Sequence, residues 1–190
     1  MSIDIDNTNA LDLTDTSADG LTLLIGGDFI LNNTNANSFQ AGTAASIIFN
    51  GSGAQRLTPA TSGDGETFVN LFIRKNNADR LDIDNPIQIE GDLKIDSGLV
   101  KLNGNQIILG TDSADSLIIE GTLEIDGGAT LKMENGTNLS TNSGGTLSVV
   151  GSPSNSATVT QNSGTYNIEI NSGGTIKAQY YIFEYMNASG

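Results

Sequence analysis

The chain contains no histidine, no cysteine and no tryptophan. Without cysteine it forms neither disulfide staples nor thiolate metal centres. Without histidine it lacks the commonest general base at neutral pH and the commonest zinc ligand. Proline is scarce, at 3 of 190 residues, and only six Phe and four Tyr supply aromatic surface. Positive charge is scarce too, with 8 Lys and Arg against 22 Asp and Glu and a net charge of −14. A polyanion repels phosphate backbones and anionic headgroups, which argues against nucleic acids and membrane surfaces as partners. No stretch approaches the ~20 consecutive apolar residues of a membrane span. No basic segment followed by an apolar one opens the chain as a signal peptide would. Met1-Ser2 followed at once by Ile-Asp-Ile-Asp reads as the start of a chain cut from something longer.

What is abundant is glycine, with 23, and asparagine, with 21. Both tolerate φ > 0, so they supply tight turns. Between them lie short alternating apolar runs, such as Leu81-Asp-Ile83, Ile87-Gln-Ile89, Leu131-Lys-Met133 and Ile168-Glu-Ile170. Period-two alternation over three to seven residues marks half-buried strands. No window carries apolar residues at the helical spacing, although a short helix could fit near Ala41–Ala45.

The most informative pattern is a repeat. Ile89-Glu-Gly-Asp-Leu-Lys-Ile95 returns thirty residues later as Ile119-Glu-Gly-Thr-Leu-Glu-Ile125, with Gly98 and Gly128 at the same offset behind each copy. Asn142-Ser-Gly-Gly-Thr-Leu147 returns twenty-nine residues later as Asn171-Ser-Gly-Gly-Thr-Ile176. A longer echo links Thr14–Leu23 to Thr111–Ile119. Self-similarity at this period, with glycine at the joints, indicates a coiled β-solenoid, in which each coil covers the open edge of its neighbour. Residues 87–116, 117–143 and 144–172 are taken as successive coils, with Leu93, Leu123, Leu147 and Ile176 stacked as one internal ladder. The chain is thus read as one all-β domain over 1–190, a parallel β-helix with irregular coils of roughly 20–30 residues. Seven or so coils make a rod about 35 Å long at the strand spacing. The least regular loops are expected at 34–66. The aromatic run Tyr180–Tyr185 is expected to be a strand of an unfinished coil or a cap, buried against its neighbour; an aromatic ligand platform is the other reading.

Three segments carry a resemblance. Ile47-Ile-Phe-Asn-Gly-Ser-Gly-Ala-Gln-Arg-Leu57, Phe68-Val-Asn-Leu-Phe-Ile73 and Pro86–Gly98 are similar to β-helical repeat modules of large secreted or surface-attached bacterial proteins, adhesin-like and pectin-lyase-like in shape. The match covers about residues 45–130. It implies a right-handed winding, an extracellular or cell-surface location, and a stalk or adhesive role. Surface glycans or other proteins would be the partners. It brings no catalytic residues, because the matching positions build strands and turns.

Chemistry on the outer faces is read from the residues. Asp4/Asp6, Asp82/Asp84 and Glu124/Asp126 each lie two apart and project from one strand face. A glycosidase needs two carboxyls ~5–9.5 Å apart across a cleft, one of them with a raised pKa. Alternation with isoleucine reads instead as a solvated acidic stripe, so no catalytic residue is expected and the chain is read as a non-enzyme. Polysaccharide binding or cleavage is the alternative. Four of the eight basic residues, Arg56, Arg74, Lys75 and Arg80, cluster before Asp82 and are read as solvated surface charge. Asp12, Asp15 and Asp19 around Gly20 are calcium candidates, echoed by Asp112 and Asp115; polar turns with side-chain-to-backbone bonds are the competing reading. Thr158-Val-Thr160 is a single Thr-x-Thr with no array behind it, which argues against ice binding. No cofactor other than calcium is implied. Strand edges at uncapped ends would allow weak end-to-end self-association.

Overall fold

The computed structural model describes residues 3–5, 11–13, 21–31, 39–41, 45–59 and 66–187, the short strands at 3–5, 11–13 and 39–41 by their backbone alone. The described residues hold strands and turns and no helix. The strands stack into three parallel sheets that wind about six turns of a β-solenoid, about 30 Å of rod at ~4.8 Å per coil. Sheet I has eight strands, from Ile3–Ile5 to Thr175–Gln179. Sheet II has seven, from Thr22–Ile25 to Asn167–Ile170, and sheet III six, from Glu66–Phe68 to Tyr181–Phe183. Leu11–Leu13 and Phe39–Ala41 pair separately. One full coil runs Leu93–Ser97 in sheet II, Leu99–Lys101 in sheet I and Gln106–Leu109 in sheet III.

Alternation decides which residues enter the core. In sheet II, Leu23, Ile47, Leu71, Leu93, Leu117, Leu139 and Ile168 stack in register, at spacings of 24, 24, 22, 24, 22 and 29 residues. In sheet I, Leu81, Val100, Leu123, Leu147 and Ile176 form another ladder. Most of these side chains have no exposed surface, and full burial of each contributes about 1.5–3 kcal/mol. Phe29 and Phe68 meet edge to face inside the first described coils, with ring centroids 6.1 Å apart.

These ladders correct the coil assignment. Leu123, Leu147 and Ile176 do share a ladder, but Leu93 stacks between Leu71 and Leu117 on a different sheet. The true coil is 22–24 residues over most of the rod, so the thirty-residue repeat spans one coil plus one face. Glu90-Gly91 turns the chain from sheet III to sheet II, whereas Glu120-Gly121 turns it from sheet II to sheet I. Both corners pose the same problem. A Cβ on Gly91 would lie 2.7 Å from Asn70 Oδ1, and one on Gly121 would lie 2.5 Å from the Gly98 carbonyl oxygen. Only glycine fits that close to the preceding coil, and identical letters therefore recur at two different corners rather than at the same corner of successive coils.

The irregular segment 34–66 contains the strands Phe39–Ala41, Ser46–Phe49 and Ala54–Thr58; its remaining loops lie largely outside the described residues. Phe39–Ala41 being a strand, no helix begins at Ala41. The aromatic run also differs from expectation. Tyr181–Phe183 is the last strand of sheet III, but Tyr180, Tyr181 and Tyr185 are about half exposed rather than buried. The buried tyrosine is Tyr166, which fills the core and donates its hydroxyl to the Val159 carbonyl at 3.1 Å. Burial holds its phenol well above the ordinary tyrosine pKa, with the Glu184 charge adding to the effect.

Candidate functional site

The outward positions of sheet I hold a row of charged and polar side chains among the described residues. Arg56, Asp82, Lys101, Glu124, Ser148 and Lys177 follow one another up the rod in register, one per coil. Their charges alternate over the first four positions, and opposite charges on neighbouring strands attract. Lys101 Nζ reaches Glu124 Oε1 at 2.9 Å, and the hydrogen bond and charge of Glu124 raise the lysine pKa. A second row carries one threonine per coil at Thr122, Thr146 and Thr175, beside the Thr130–Thr158 pair of sheet III. Both are single rows rather than a Thr-x-Thr array.

At the N-terminal part of this face, Asp28, Ala54, Arg56, Arg80, Asp82, Asp84 and Asn103 surround an open recess of about 440 Å³. Alternation puts Arg80 and Asp82 on the same outer face of Arg80–Ile83, and Asp84 follows directly. Small Ala54, in register with Arg80, leaves the space between them. Arg56 Nε donates to Asp84 Oδ2 at 2.6 Å and Arg80 Nε to Asp82 Oδ2 at 2.8 Å. The Asn103 amide donates to Asp82 Oδ1 at 3.3 Å and to Asp84 Oδ1 at 3.4 Å, tying the two carboxylates together. Asp28 accepts the Arg56 backbone N–H at 2.9 Å. The hydrogen bond and charge of Asp84 hold the Arg56 pKa above its usual value.

The paired carboxylates of the sequence therefore sit together but are committed to other groups. Asp82 and Asp84 are bridged by one amide, and each is gripped by its own guanidinium. Glu124 is paired with Lys101, and Asp126 Oδ1 accepts the Gly104 N–H at 2.9 Å. Asp4 and Asp6 lie outside the residues whose side chains are described. Arg74 bonds Asp96 at 2.8 Å, and Lys94 bonds the same carboxylate at 2.7 Å. Burial opposes charge on Asp96, but the hydrogen bonds from Lys94 and Arg74 outweigh it and hold its pKa below the usual carboxylate value. The Arg74 guanidinium also lies 5.8 Å from the centroid of Phe72, within cation–π range.

Lys75 is the exception among the clustered bases. It is buried, 3 % exposed, rather than solvated. Its Nζ donates to the Gly51 carbonyl at 2.6 Å and to Gln55 Oε1. Gln55 occupies an inward ladder position in register with Leu81, accepts Gly51 N–H at 3.0 Å, and donates to the carbonyls of Ile25 and Gly27. This buried polar chain links three successive coils at one corner, and desolvation lowers the Lys75 pKa.

Of the calcium candidates, Asp12, Asp15 and Asp19 lie outside the residues whose side chains are described. Their echo is a hydrogen-bonded turn: Asp115 Oδ2 accepts from Thr111 N at 2.7 Å and Asp112 N at 3.0 Å, and Asp112 Oδ1 accepts from Ala114 N at 2.7 Å. Among the described residues no three Asp or Glu side chains gather closely enough to hold a metal ion. None of the described residues forms a helix long and apolar enough to cross a membrane.

Spacing alone shows the alternation and pairing of the carboxylates, whereas it gives no signal for Asn103 or Asp28. Asn103 lies 21 residues from Asp82, which is close to one coil, and only a correct coil length would have brought it there. Comparison with protein-family models, curated proteins and solved structures finds no match for this chain.

Proposed function

We propose that this chain is a non-catalytic structural or adhesive β-solenoid segment of a bacterial extracellular or cell-surface protein, wound right-handedly like the modules its sequence resembles. The observation that supports the reading is the closure of outward charges in pairs between and along the coils. Arg56–Asp84, Arg80–Asp82, Arg74–Asp96 and Lys101–Glu124 join side chains that a carboxylate-driven active site would leave available for substrate. A rod with a largely apolar interior and paired surface charge suits a spacer that presents its flanks to other molecules.

The second reading, carbohydrate binding, rests on the recess around Asp82 and Asp84. There guanidinium and amide donors alternate with carboxylate acceptors around an open recess of about 440 Å³. A glycan array probed with the labelled protein, run beside a product assay on acidic polysaccharides, separates these roles. The spacer or adhesive reading expects no new reducing ends or unsaturated products. Turnover above a protein-free control would overturn it. Glycan binding lost in Arg56→Ala and Arg80→Ala variants would favour the second reading.

A further inference from the structure

We propose that Asn103 is a modification site, its side-chain amide being converted to a carboxylate by attack of the following backbone nitrogen. The chain contains three Asn-Gly pairs, Asn50-Gly51, Asn103-Gly104 and Asn135-Gly136. In such a pair no side chain shields the backbone nitrogen after the asparagine, so the nitrogen can swing toward the amide carbon. Folding leaves that freedom to one pair of the three. A Cβ on Gly51 would run into the Gly26 carbonyl oxygen, and Gly51 is buried. A Cβ on Gly136 would lie 2.7 Å from that of Ser113, and the Asn135 side-chain oxygen accepts the Thr165 N–H at 3.2 Å. Beyond its chain neighbours, a Cβ on Gly104 would meet nothing among the described residues closer than the Gly127 carbonyl oxygen at 3.8 Å. Asn103 and Gly104 are both exposed.

The turn also brings a base to the nitrogen. Leu102–Asn105 is closed by the Asn105 N–H on the Leu102 carbonyl at 2.9 Å, with Asn103 at φ 52° and Gly104 at φ 77°. Positive φ at both central residues is the turn geometry that Asn-Gly favours. The Gly104 N–H donates to Asp126 Oδ1 on the neighbouring coil at 2.9 Å. At the other two pairs the glycine N–H donates to a neutral oxygen, Gln55 Oε1 for Gly51 and the Thr165 carbonyl for Gly136. A carboxylate can take up the proton that the attacking nitrogen must lose, whereas an amide oxygen is a far weaker base.

The step closes a cyclic imide. The Gly104 nitrogen bonds to Asn103 Cγ, its proton passes to Asp126, and the Cγ–Nδ2 bond breaks. Ammonia leaves when Asp126 returns that proton through water. Water then adds to either imide carbonyl, which leaves a carboxylate at position 103 on the normal or on the lengthened backbone linkage. The consequence falls on the recess. The Asn103 amide donates to Asp82 Oδ1 at 3.3 Å and to Asp84 Oδ1 at 3.4 Å, and a carboxylate in its place has no proton to give. With Asp28, four carboxylates would then face the guanidiniums of Arg56 and Arg80. The tie between Asp82 and Asp84 is lost, and the added negative charge moves the recess toward cationic ligands.

Peptide mapping by mass spectrometry, on the full chain held at mildly alkaline pH either folded or in urea, reads the outcome. In urea the three pairs should convert at similar rates. In the folded protein Asn50 and Asn135 should slow by at least about tenfold, because they react only when their coils open. Asn103 should keep or exceed its unfolded rate and yield both backbone linkages. Asp126→Ala should slow conversion at Asn103 about tenfold, with the circular dichroism spectrum and the other two rates unchanged, and Asp126→Glu should retain it. Were Asp126 only pinning the nitrogen, its removal would speed the reaction instead. Folded Asn103 reacting more slowly than in urea, equal folded rates at the three pairs, or an Asp126→Ala protein that converts as fast as the wild type would overturn the proposal.

Discussion

Two buried polar residues show what the interior tolerates. Lys75 keeps an ammonium inside the rod by giving its protons to a carbonyl and to Gln55, which in turn bonds the coil below. Burial lowers its pKa in the folded state below the unfolded value. Between those two values the unfolded chain binds more protons, so stability rises with pH across that window. Lys75→Met removes the titration. The stability of the wild type relative to this variant should therefore grow as pH rises through the alkaline range up to ~10, the unfolded lysine value. Thermal melts at matched ionic strength would show it, and a constant difference would exclude the linkage. Thr141 poses the opposite case. Its hydroxyl is buried without a partner in the ladder between Ile119 and Ile170. Thr141→Val keeps the shape and removes the unmet polar group, so urea unfolding should report a gain of about 1 kcal/mol.

At the scale of the strand, inward and outward positions carry very different energies. Leu123 is fully buried in the middle of the sheet I ladder, flanked by Val100 and Leu147. Leu123→Ala should cost about 2–5 kcal/mol, because neighbouring coils hold the cavity open. Lys101, which follows Val100 on the outer row and is in register with Glu124, loses a partly exposed ion pair when replaced. Lys101→Ala should cost less than about 1 kcal/mol. Chemical denaturation of the two variants tests the ladder directly, and equal losses would show that the two positions do not differ in burial as described. The corners follow the same logic with glycine. Where the chain approaches the preceding coil, at Gly91 and Gly121, the absence of a Cβ is a steric requirement rather than a preference.

For the whole molecule, charge and cohesion oppose one another. A net charge of −14 spread along a short rod repels itself, whereas the ion pairs between and along the coils are individually weak in water. Screening should therefore help more than it harms. The melting temperature is expected to rise as sodium chloride is raised from about 0.01 M to about 0.15 M, where the Debye length falls from ~30 Å to ~8 Å. A fall over that range would mean that the ion-pair rows outweigh the repulsion.

Sequence by itself determined the strands, their inner and outer faces and the turns, because alternation and positive-φ glycine are local properties of the backbone. It also determined the chemical vocabulary, a surface of carboxylates without histidine or thiol. Only the tertiary structure decided which coil each repeat belongs to. Ile89–Ile95 and Ile119–Ile125 solve one steric problem at two different corners, and stacking depends on how many faces and loop residues separate them. It alone brought Asn103 over Asp82 and Asp84, drew Lys75 into the core and left the tyrosines of the last coil in solvent. Those outcomes turn on which coil lies next to which, and neighbours a coil apart are 19–29 residues distant along the chain.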